Sequence, residues 1–486
     1  MNKLLVLVHP IHKPWDKIFV RLPESLLAIA ALPHREGYDV RIIDQRVDPR
    51  WRKRLGELVG EGPICVGITS LTGPCLQSAL EAAAIVKAAD QSVPVVFGGV
   101  QPTLLPEQTV RHPHVDVVVR GEGDYRFLEV VKCLEENRSL AAVRGIAYRQ
   151  DGRPVLTEKA EMIADLDALP DSPYELVEMD NYSAIDLGRG RSATLPTSRG
   201  CPFKCSFCAS HALSNRTWRG LSTARIVEKI RLFQDRYDIH TFYFLDDCFS
   251  VGRSHFREVL AGLARLDRKI RWGTAGIRAD LLCQFDDEDL SLLWESGCRS
   301  LDIGIESGSE RMLSLVDKNE TKEQMRAANA ILARRPINLK YTFLMGYPTE
   351  TEAELDESLD FSRELAAANP HCYSMFMIFM PILGTPSFAT SLEHGFVCPE
   401  KIEDWVDMDF RKWLYHHPNW LSNRRRRRLE AIMTASLFCN KNAKPKLMTT
   451  LSKAAFALYH PIAKLRFKYK FFSMPLEIQL ARMLLN

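Results

Sequence analysis

Short runs of β-branched residues alternate with longer amphipathic stretches over residues 1–145 of the chain. The apolar positions of the long stretches recur at helical spacing, whereas the short runs have the length and composition of buried strands. Alternation of this kind is typical of a parallel sheet covered by helices. It predicts a doubly wound domain with strands at residues 3–8, 39–43, 64–68, 95–97 and 115–119, and helices at 23–35, 76–89 and 125–134.

A second alternation begins near Ala193 and predicts another parallel β/α array. Its strands are predicted at residues 242–245, 271–276, 300–305 and 340–344, and its helices at 223–235, 254–266, 286–296 and 322–333. Residues 146–190 lose the periodicity and contain Pro and Gly turn signals, so we interpret them as the connection. Residues 191–400 are then the second domain, and 401–486 are interpreted as a basic helical extension.

Composition narrows the class of protein. The 486 residues are 46% hydrophobic and 26% charged, which describes a globular chain of two or three domains and excludes disordered and collagen-like proteins. Twelve cysteines in 486 residues are too few for a fold stabilised mainly by disulfides. The first apolar run of the chain is too short to be the core of a signal peptide. We therefore expect a cytoplasmic protein.

Small or polar residues follow three predicted strands of the first domain. In doubly wound sheets of the flavodoxin-like kind, ligands bind at the carboxyl ends of the strands, and glycine lets a bulky planar ligand approach the backbone. The candidate ligand-binding residues at these ends are Ser70, Leu71, Thr72, Gly98, Gly99, Gly121, Glu122 and Gly123.

The chain carries three cysteines within eight residues, Cys201, Cys205 and Cys208. Three thiolates leave one coordination position open, whereas structural zinc sites and ordinary electron-carrying clusters normally use four protein ligands. No second Cys-x-x-Cys pair lies within reach in the sequence. The alternative interpretations are a structural zinc knuckle or three buried thiols.

The spacing of these cysteines, with Thr-Ser-Arg-Gly before the first, resembles the signature of radical S-adenosylmethionine (AdoMet) enzymes. The resemblance implies a [4Fe-4S] cluster bound by Cys201, Cys205 and Cys208, whose free iron binds AdoMet. It also implies that Phe207 packs near the adenine of AdoMet, that the second array is a partial (β/α) barrel, and that an external electron donor such as flavodoxin or ferredoxin reduces the cluster.

The first domain, with Gly-Gly-x-x-Pro-Thr at residues 98–103, resembles the cobalamin-binding domain of cobalamin-dependent radical AdoMet enzymes. The usual Asp-x-His-x-x-Gly pattern, whose histidine binds cobalt from below, is absent, since His9 and His12 lack that spacing. The resemblance then implies cobalamin with no protein imidazole on its lower face, which would meet Ser70 to Thr72. A degenerate domain that has lost cobalamin is the alternative.

Further motifs of the same subgroup stand at the predicted strand ends of the second array. Arg278 can pair with a carboxylate in a bidentate fork and Glu306 can accept hydrogen bonds from ribose hydroxyls, so both are predicted AdoMet contacts. Asp246 and Asp247 follow a strand, where helix capping and a ligand role are equally open.

Positive charge is concentrated at the end of the chain. Residues 421–486 hold fourteen Lys or Arg against two Glu, a net +12. Arg424–Arg428 and the aromatic residues that follow could meet an anionic membrane peripherally, at the inner face, with apolar faces at 455–459 and 478–485. A solvated extension packed on the second domain is the alternative, and nucleic acid is the less favoured partner.

The resemblance implies an enzyme that removes hydrogen from an unactivated carbon with an AdoMet-derived radical and then methylates it through cobalamin. A cyclase or rearrangement enzyme, like the anaerobic magnesium-protoporphyrin monoester cyclase, is the second hypothesis. A cobalamin- or cluster-binding sensor without turnover is the third. The substrate is expected to be a small or lipid-like molecule whose identity the motifs leave open.

Overall fold

The computed structural model describes residues 3–12, 20–182, 191–249, 251–416, 418–439 and 450–472. For residues 211, 410, 411 and 450–456 it describes the backbone only. Within this part, the residues up to Tyr182 together with Cys398–Asp409 form one compact unit. The other described residues form a second unit. The turn at 188–190 and the apolar stretch at 478–485 lie outside the described residues.

The first unit is built on one mixed sheet with strand order β2-β1-β3-β4-β5-β6-β7. The first five strands pair in parallel, and β6 and β7 extend the edge in antiparallel fashion. The elements are β1 (Leu4–His9), α1 (Glu24–Arg35), β2 (Asp39–Asp44), α2 (Trp51–Gly60), β3 (Cys65–Thr69), α3 (Pro74–Ala89), β4 (Val95–Gly98), α4 (Val100–Leu104), α5 (Pro106–Arg111), β5 (Val117–Val119), α6 (Asp124–Glu135), β6 (Ile146–Gln150) and β7 (Arg153–Leu156).

This arrangement confirms the doubly wound sheet. Every predicted strand and helix of the first domain is present, and the inner parallel strands β1, β3, β4 and β5 are almost completely buried because helices cover them. Strands β6 and β7 occupy residues assigned to the connection. A short 3-10 helix, Ile402–Asp407, packs on α3, so the chain returns to this unit late in the sequence.

The second unit contains a six-stranded parallel sheet in the order β15-β14-β13-β12-β11-β8. A two-residue ladder joins β9 and β10 beside it. The elements are β8 (Ser192–Leu195), β9 (Ser198–Arg199), α7 (Ser210–Ser214), β10 (Arg219–Gly220), α8 (Thr223–Tyr237), β11 (Thr241–Phe244), α9 (Arg253–Ala264), β12 (Arg271–Ile277), α10 (Ala279–Leu282), α11 (Asp287–Glu295), β13 (Cys298–Glu306), α12 (Glu310–Leu315), α13 (Lys322–Leu332), β14 (Asn338–Met345), α14 (Glu352–Ala368), β15 (Cys372–Ile378), α15 (Pro386–Glu393), α16 (Phe410–His416), α17 (Asn423–Phe438) and α18 (Thr450–Tyr469).

From Phe410 onward, the described helices of the basic extension pack on this second unit. Helix α17 lies along β15, where the Ser436 hydroxyl accepts a hydrogen bond from the Phe376 N–H at 3.1 Å. Helix α18 packs on α17 and α14. No helix within the described ranges is long and apolar enough to cross a bilayer.

Candidate active site

The three cysteines lie on the loop between β9 and α7, at the carboxyl end of the second sheet. All three are half-buried. Gly200 precedes them with φ of 81°, and a Cβ atom there would lie 2.2 Å from the Thr217 carbonyl oxygen. The chain therefore needs glycine at this turn in order to bring Cys201 into the loop.

Two adjacent carboxylates hold the start of the cysteine loop. Asp246 accepts hydrogen bonds from the N–H of Thr197 at 2.8 Å, from the hydroxyls of Thr197 and Ser198 at 2.9 Å each, and from the Ser198 N–H. Asp247 accepts from the Ser210 hydroxyl and from the Gly200 N–H. Burial raises the pKa of the Asp246 carboxyl to about 7.

Helix capping is therefore the wrong interpretation for this Asp pair, since the next helix begins only at Arg253. The two side chains instead fix the backbone before Cys201, and Asp247 also binds the Ser210 hydroxyl after it. The other end of the loop is held at Ser206, whose N–H donates to Val316 O and whose carbonyl accepts from the Ser387 N–H, both at 2.9 Å.

A fourth thiol, that of Cys248, lies beside the loop. The buried Cys248 hydrogen-bonds to Cys201 and lowers the pKa of that thiol to about 7. Burial raises the pKa of Cys205 and Cys208.

The described residues contain no group of three His, Cys, Asp or Glu placed to hold a single metal ion. In a four-iron cluster each thiolate binds a different iron, so the sulfurs need not converge on one point. Three half-buried thiols on one loop fit such a cluster.

A buried charge network surrounds the carboxyl end of β13. The Lys318 ammonium lies 3.2 Å from a Glu306 oxygen and 3.1 Å from a Glu320 oxygen. Burial alone would lower the pKa of Lys318, but the two carboxylates raise it, so the ammonium stays charged. Glu306 adopts φ of 65°, and its carboxylate crosses Gly304, where a Cβ would lie 2.2 Å from the oxygen.

Arg278 belongs to this network and also contacts the cysteine loop. Its guanidinium donates to Asp280 at 3.0 Å and to the Lys318 carbonyl at 3.0 Å, and it lies 3.8 Å from the ring centroid of Phe203. The positive charges of Lys318 and Arg278 both oppose the rise in the pKa of Cys205 that burial causes. The site is thus prepared for a negatively charged group bound to the cysteines.

Phe207 lies on the opposite, apolar side of the loop. Its ring contacts Tyr347 edge to face at a centroid distance of 6.4 Å, and Tyr347 stacks on Phe379 at 4.3 Å. Met312 and Val316 complete this cluster. This apolar surface could receive an adenine ring, and the role of Phe207 beside AdoMet stays a prediction.

In the first unit, the predicted loops at the ends of β3 and β4 contact each other. The Ser70 N–H donates to Gly98 O at 2.8 Å, and Thr72 hydrogen-bonds to the Gln101 side chain. Gly99 has φ of 98°, and a Cβ there would lie 2.7 Å from Ser70 O. Leu71 is 45% exposed at this edge, which suits contact with a large apolar ligand.

Gln101 gives a further sign that this edge binds a ligand. It is completely buried, yet its Nε2 has no hydrogen-bond partner among the described residues. An unsatisfied buried donor costs about 1–3 kcal/mol, which a bound polar group would remove. Cobalamin, with its ring of carboxamide side chains, fits such an edge.

The predicted ligand-binding loop after β5, residues 121–123, also makes contacts that stabilise the first unit. Gly121 has open space around its Cα and donates to the Thr103 hydroxyl at 3.0 Å. Glu122 accepts from the Ile163 N–H at 2.8 Å, and Gly123 lies against Ile29.

His9 and His12, the two histidines considered as ligands of cobalt, lie at the end of β1 and in the loop after it. His9 is half-buried at the end of β1, with Nδ1 3.0 Å from Pro10 O. Burial lowers its pKa to about 4, so the ring is neutral. His12 lies in the loop after β1.

Sequence reasoning missed Lys318, Glu320, Tyr347 and Gln101. Gln101 lies inside the Gly-Gly-x-x-Pro-Thr segment, but Lys318 and Glu320 lie 12 and 14 residues after Glu306, so no recognised motif pointed to them. Their importance follows from burial, which the sequence does not display.

Two family models match this chain. The model described as the Radical SAM superfamily matches residues 195–362, and the model described as the B12 binding domain matches residues 23–131. The matched ranges fall in the two compact units.

Among curated proteins, the chain is 32% identical over 365 residues to an uncharacterized methyltransferase of Pyrococcus horikoshii, covering 75% of this chain and 77% of that protein. It is 28% identical to the anaerobic magnesium-protoporphyrin IX monomethyl ester cyclase of Rubrivivax gelatinosus, covering 74% of this chain and 65% of that protein. Among solved structures, the cobalamin-dependent AdoMet radical enzyme OxsB superposes with a TM-score of 0.72 at 20% identity, covering 96% of this chain and 72% of the other, which shows the fold.

Proposed function

The chain belongs to the cobalamin-dependent radical AdoMet enzymes, and we propose that it methylates an unactivated carbon of its substrate. The cofactors of this family are a [4Fe-4S] cluster, AdoMet and cobalamin. We place the cluster on Cys201, Cys205 and Cys208. The observation that carries the proposal is the half-buried three-thiol loop, held between the Asp pair and a cationic network.

When bound, the cluster and AdoMet supply the radical that removes hydrogen, and cobalamin supplies the methyl group. The residues of the chain bind and orient these groups. Three thiolates leave one iron free for AdoMet. Phe207 would offer the adenine an apolar surface, and Arg278 and Glu306, which pair with Asp280 and Lys318 in the structure, would bind the carboxylate and the ribose of AdoMet.

We place cobalamin at the carboxyl ends of β3, β4 and β5. Ser70, Leu71 and Thr72 would meet its lower face, and the glycines at 98, 99, 121 and 123 together with Glu122 form the rest of the edge. The buried Nε2 of Gln101 supports this placement. The spacing of His9 and His12 supports a cobalt without a protein imidazole below it.

Methyl transfer is favoured over cyclisation by the methyltransferase relative, which is more similar and more fully covered than the cyclase. Product analysis after anaerobic reconstitution with iron, sulfide, cobalamin, AdoMet and a reductant separates the alternatives. S-adenosylhomocysteine together with 5′-deoxyadenosine is expected. Formation of 5′-deoxyadenosine alone would favour the cyclase or rearrangement hypothesis, and the absence of both would favour the sensor.

The proposed partners are a small or lipid-like substrate and an external electron donor such as flavodoxin or ferredoxin, in the cytoplasm. Peripheral membrane contact is proposed for α18 instead of Arg424–Arg428. Arg425 pairs with Glu350 at 3.0 Å and Arg428 hydrogen-bonds to Glu352 and Asp356. These guanidinium groups hold α17 against the second unit, so the Arg run is less available to lipid than the sequence suggested.

Helix α18 presents an exposed apolar stripe. Leu458, Ile462, Leu465 and Tyr469 recur at helical spacing and are 74%, 46%, 53% and 67% exposed, whereas Phe467 packs against the sheet. An apolar helix face flanked by lysines suits the interface of an anionic membrane.

The membrane proposal is tested by sedimentation with phosphatidylserine-containing vesicles. Changing Leu458 and Leu465 to Ser is expected to weaken binding at high salt, where charge attraction is screened. Val397, which is 76% exposed elsewhere in the second unit, is the matched control. Equal binding by the α18 variant, the Val397→Ser control and the wild type would remove α18 as the contact.

A further inference from the structure

The most unusual polar atom in the second unit is the hydroxyl of Tyr347. The side chain follows β14 and is only 3% exposed, and its Oη has no hydrogen-bond partner among the described residues. Leaving a buried hydroxyl without a partner destabilises a fold, and such groups are rare in native proteins. A tyrosine kept under these conditions requires an explanation.

The position of the ring limits what the missing partner could be. Phe379 stacks on one face of Tyr347 at 4.3 Å, and Phe207 of the cysteine loop contacts it edge to face. These contacts fix the ring and thereby the position of the Oη atom. The negative charges of Glu306, Glu350, Cys205 and Cys208 act on the phenol, and together with burial they raise its pKa well above the ordinary value. The hydroxyl thus stays protonated and is a donor.

We propose that Tyr347 donates a hydrogen bond to a sulfur of the iron–sulfur cluster and thereby positions and tunes it. The inference rests on the proposed function, since it requires a cluster on the cysteine loop. Hydrogen bonds to cluster sulfur stabilise the more negative, reduced state and raise the reduction potential. Tyr347 is therefore a positioning residue for the electron-accepting step.

Tyr341, within β14, provides a matched control. It is equally buried, but its hydroxyl donates to the Asn329 side chain at 2.8 Å, away from the cysteines. In the full-length protein without cluster, Tyr341→Phe should lose stability to urea because Asn329 loses a partner. Tyr347→Phe should be at least as stable as wild type, because it removes a hydroxyl that has no partner.

The second measurement uses the reconstituted protein without AdoMet. A redox titration followed by electron paramagnetic resonance should give a more negative cluster potential for Tyr347→Phe and an unchanged potential for Tyr341→Phe. An unchanged potential in Tyr347→Phe with normal iron content would overturn the inference, even if AdoMet binding were weaker. So would a stability loss in cluster-free Tyr347→Phe equal to that of Tyr341→Phe. If the wild-type protein itself binds no cluster, the proposed function is wrong. That outcome differs from a wild type that binds a cluster whose potential Tyr347→Phe leaves unchanged, which rejects only the role of Tyr347.

Discussion

The hydrogen bonds that Asp246 accepts predict how strongly its substitution should destabilise the protein. In Asp246→Ala, the backbone N–H groups of Thr197 and Ser198 lose their acceptor in a buried place. Each unsatisfied N–H costs about 1–3 kcal/mol, so the substitution should destabilise the second unit by about 2–6 kcal/mol. Asp246→Asn keeps one oxygen for both N–H groups, and its amide can donate to the Thr197 hydroxyl. It should therefore cost much less.

The assay is urea unfolding of the cluster-free protein followed by circular dichroism, paired with iron content after reconstitution. A loss of a few kcal/mol lowers the midpoint by about 1 M or more at typical urea slopes. Asp246→Ala should also bind little iron, because Cys201 follows the released segment, while Asp246→Asn should bind iron normally. Equal midpoints for Asn and Ala, or a normal midpoint for Ala, would refute the anchoring role.

Three further predictions concern the cluster cysteines, the bound cobalamin and the dependence of stability on pH. Cys205→Ala and Cys208→Ala should abolish AdoMet cleavage and the visible absorbance of the cluster, whereas Cys133→Ala, a buried packing residue, should retain both. Bound cob(II)alamin should show no nitrogen superhyperfine splitting in its electron paramagnetic resonance spectrum, and such splitting would reveal an overlooked imidazole ligand. The Arg311 hydrogen bond lowers the pKa of Glu354 from 4.5 to about 2. Its stabilisation is present above pH 4.5 and is lost as the pH falls toward 2, so the urea midpoints of wild type and Glu354→Gln should converge over that range, and a constant difference would contradict this.

Much of the fold could be predicted because the two arrays bury their strands on both faces. The short apolar runs therefore carried the signal. Helix α2 was missed although Trp51, Leu55 and Val59 recur at helical spacing, because the segment is short, rich in Arg and Lys, and interrupted by Gly56. Strand β15 was missed although it holds the apolar run Met375–Ile378, because methionine takes the place of the β-branched residues that mark a strand.

The cysteine loop could be predicted from spacing, but its support could not. Asp246 lies 48 residues from Ser198 in the chain, and only the parallel pairing of β8 with β11 brings them together. The same holds for the contact between Cys248 and Cys201, because it depends on the fold and not on a local pattern. Arg425 likewise finds Glu350 across 75 residues, so its charge was assigned to a membrane when the structure gives it an internal partner.

The central claim is that three thiolates hold a [4Fe-4S] cluster with one iron open to AdoMet. The most direct measurement is electron paramagnetic resonance of the anaerobically reconstituted and reduced protein, with and without AdoMet, together with iron and zinc analysis. The account predicts roughly four iron atoms per chain and a signal that AdoMet changes, since AdoMet binds the open iron. Stoichiometric zinc in place of iron, or a cluster signal that AdoMet leaves unchanged, would contradict it.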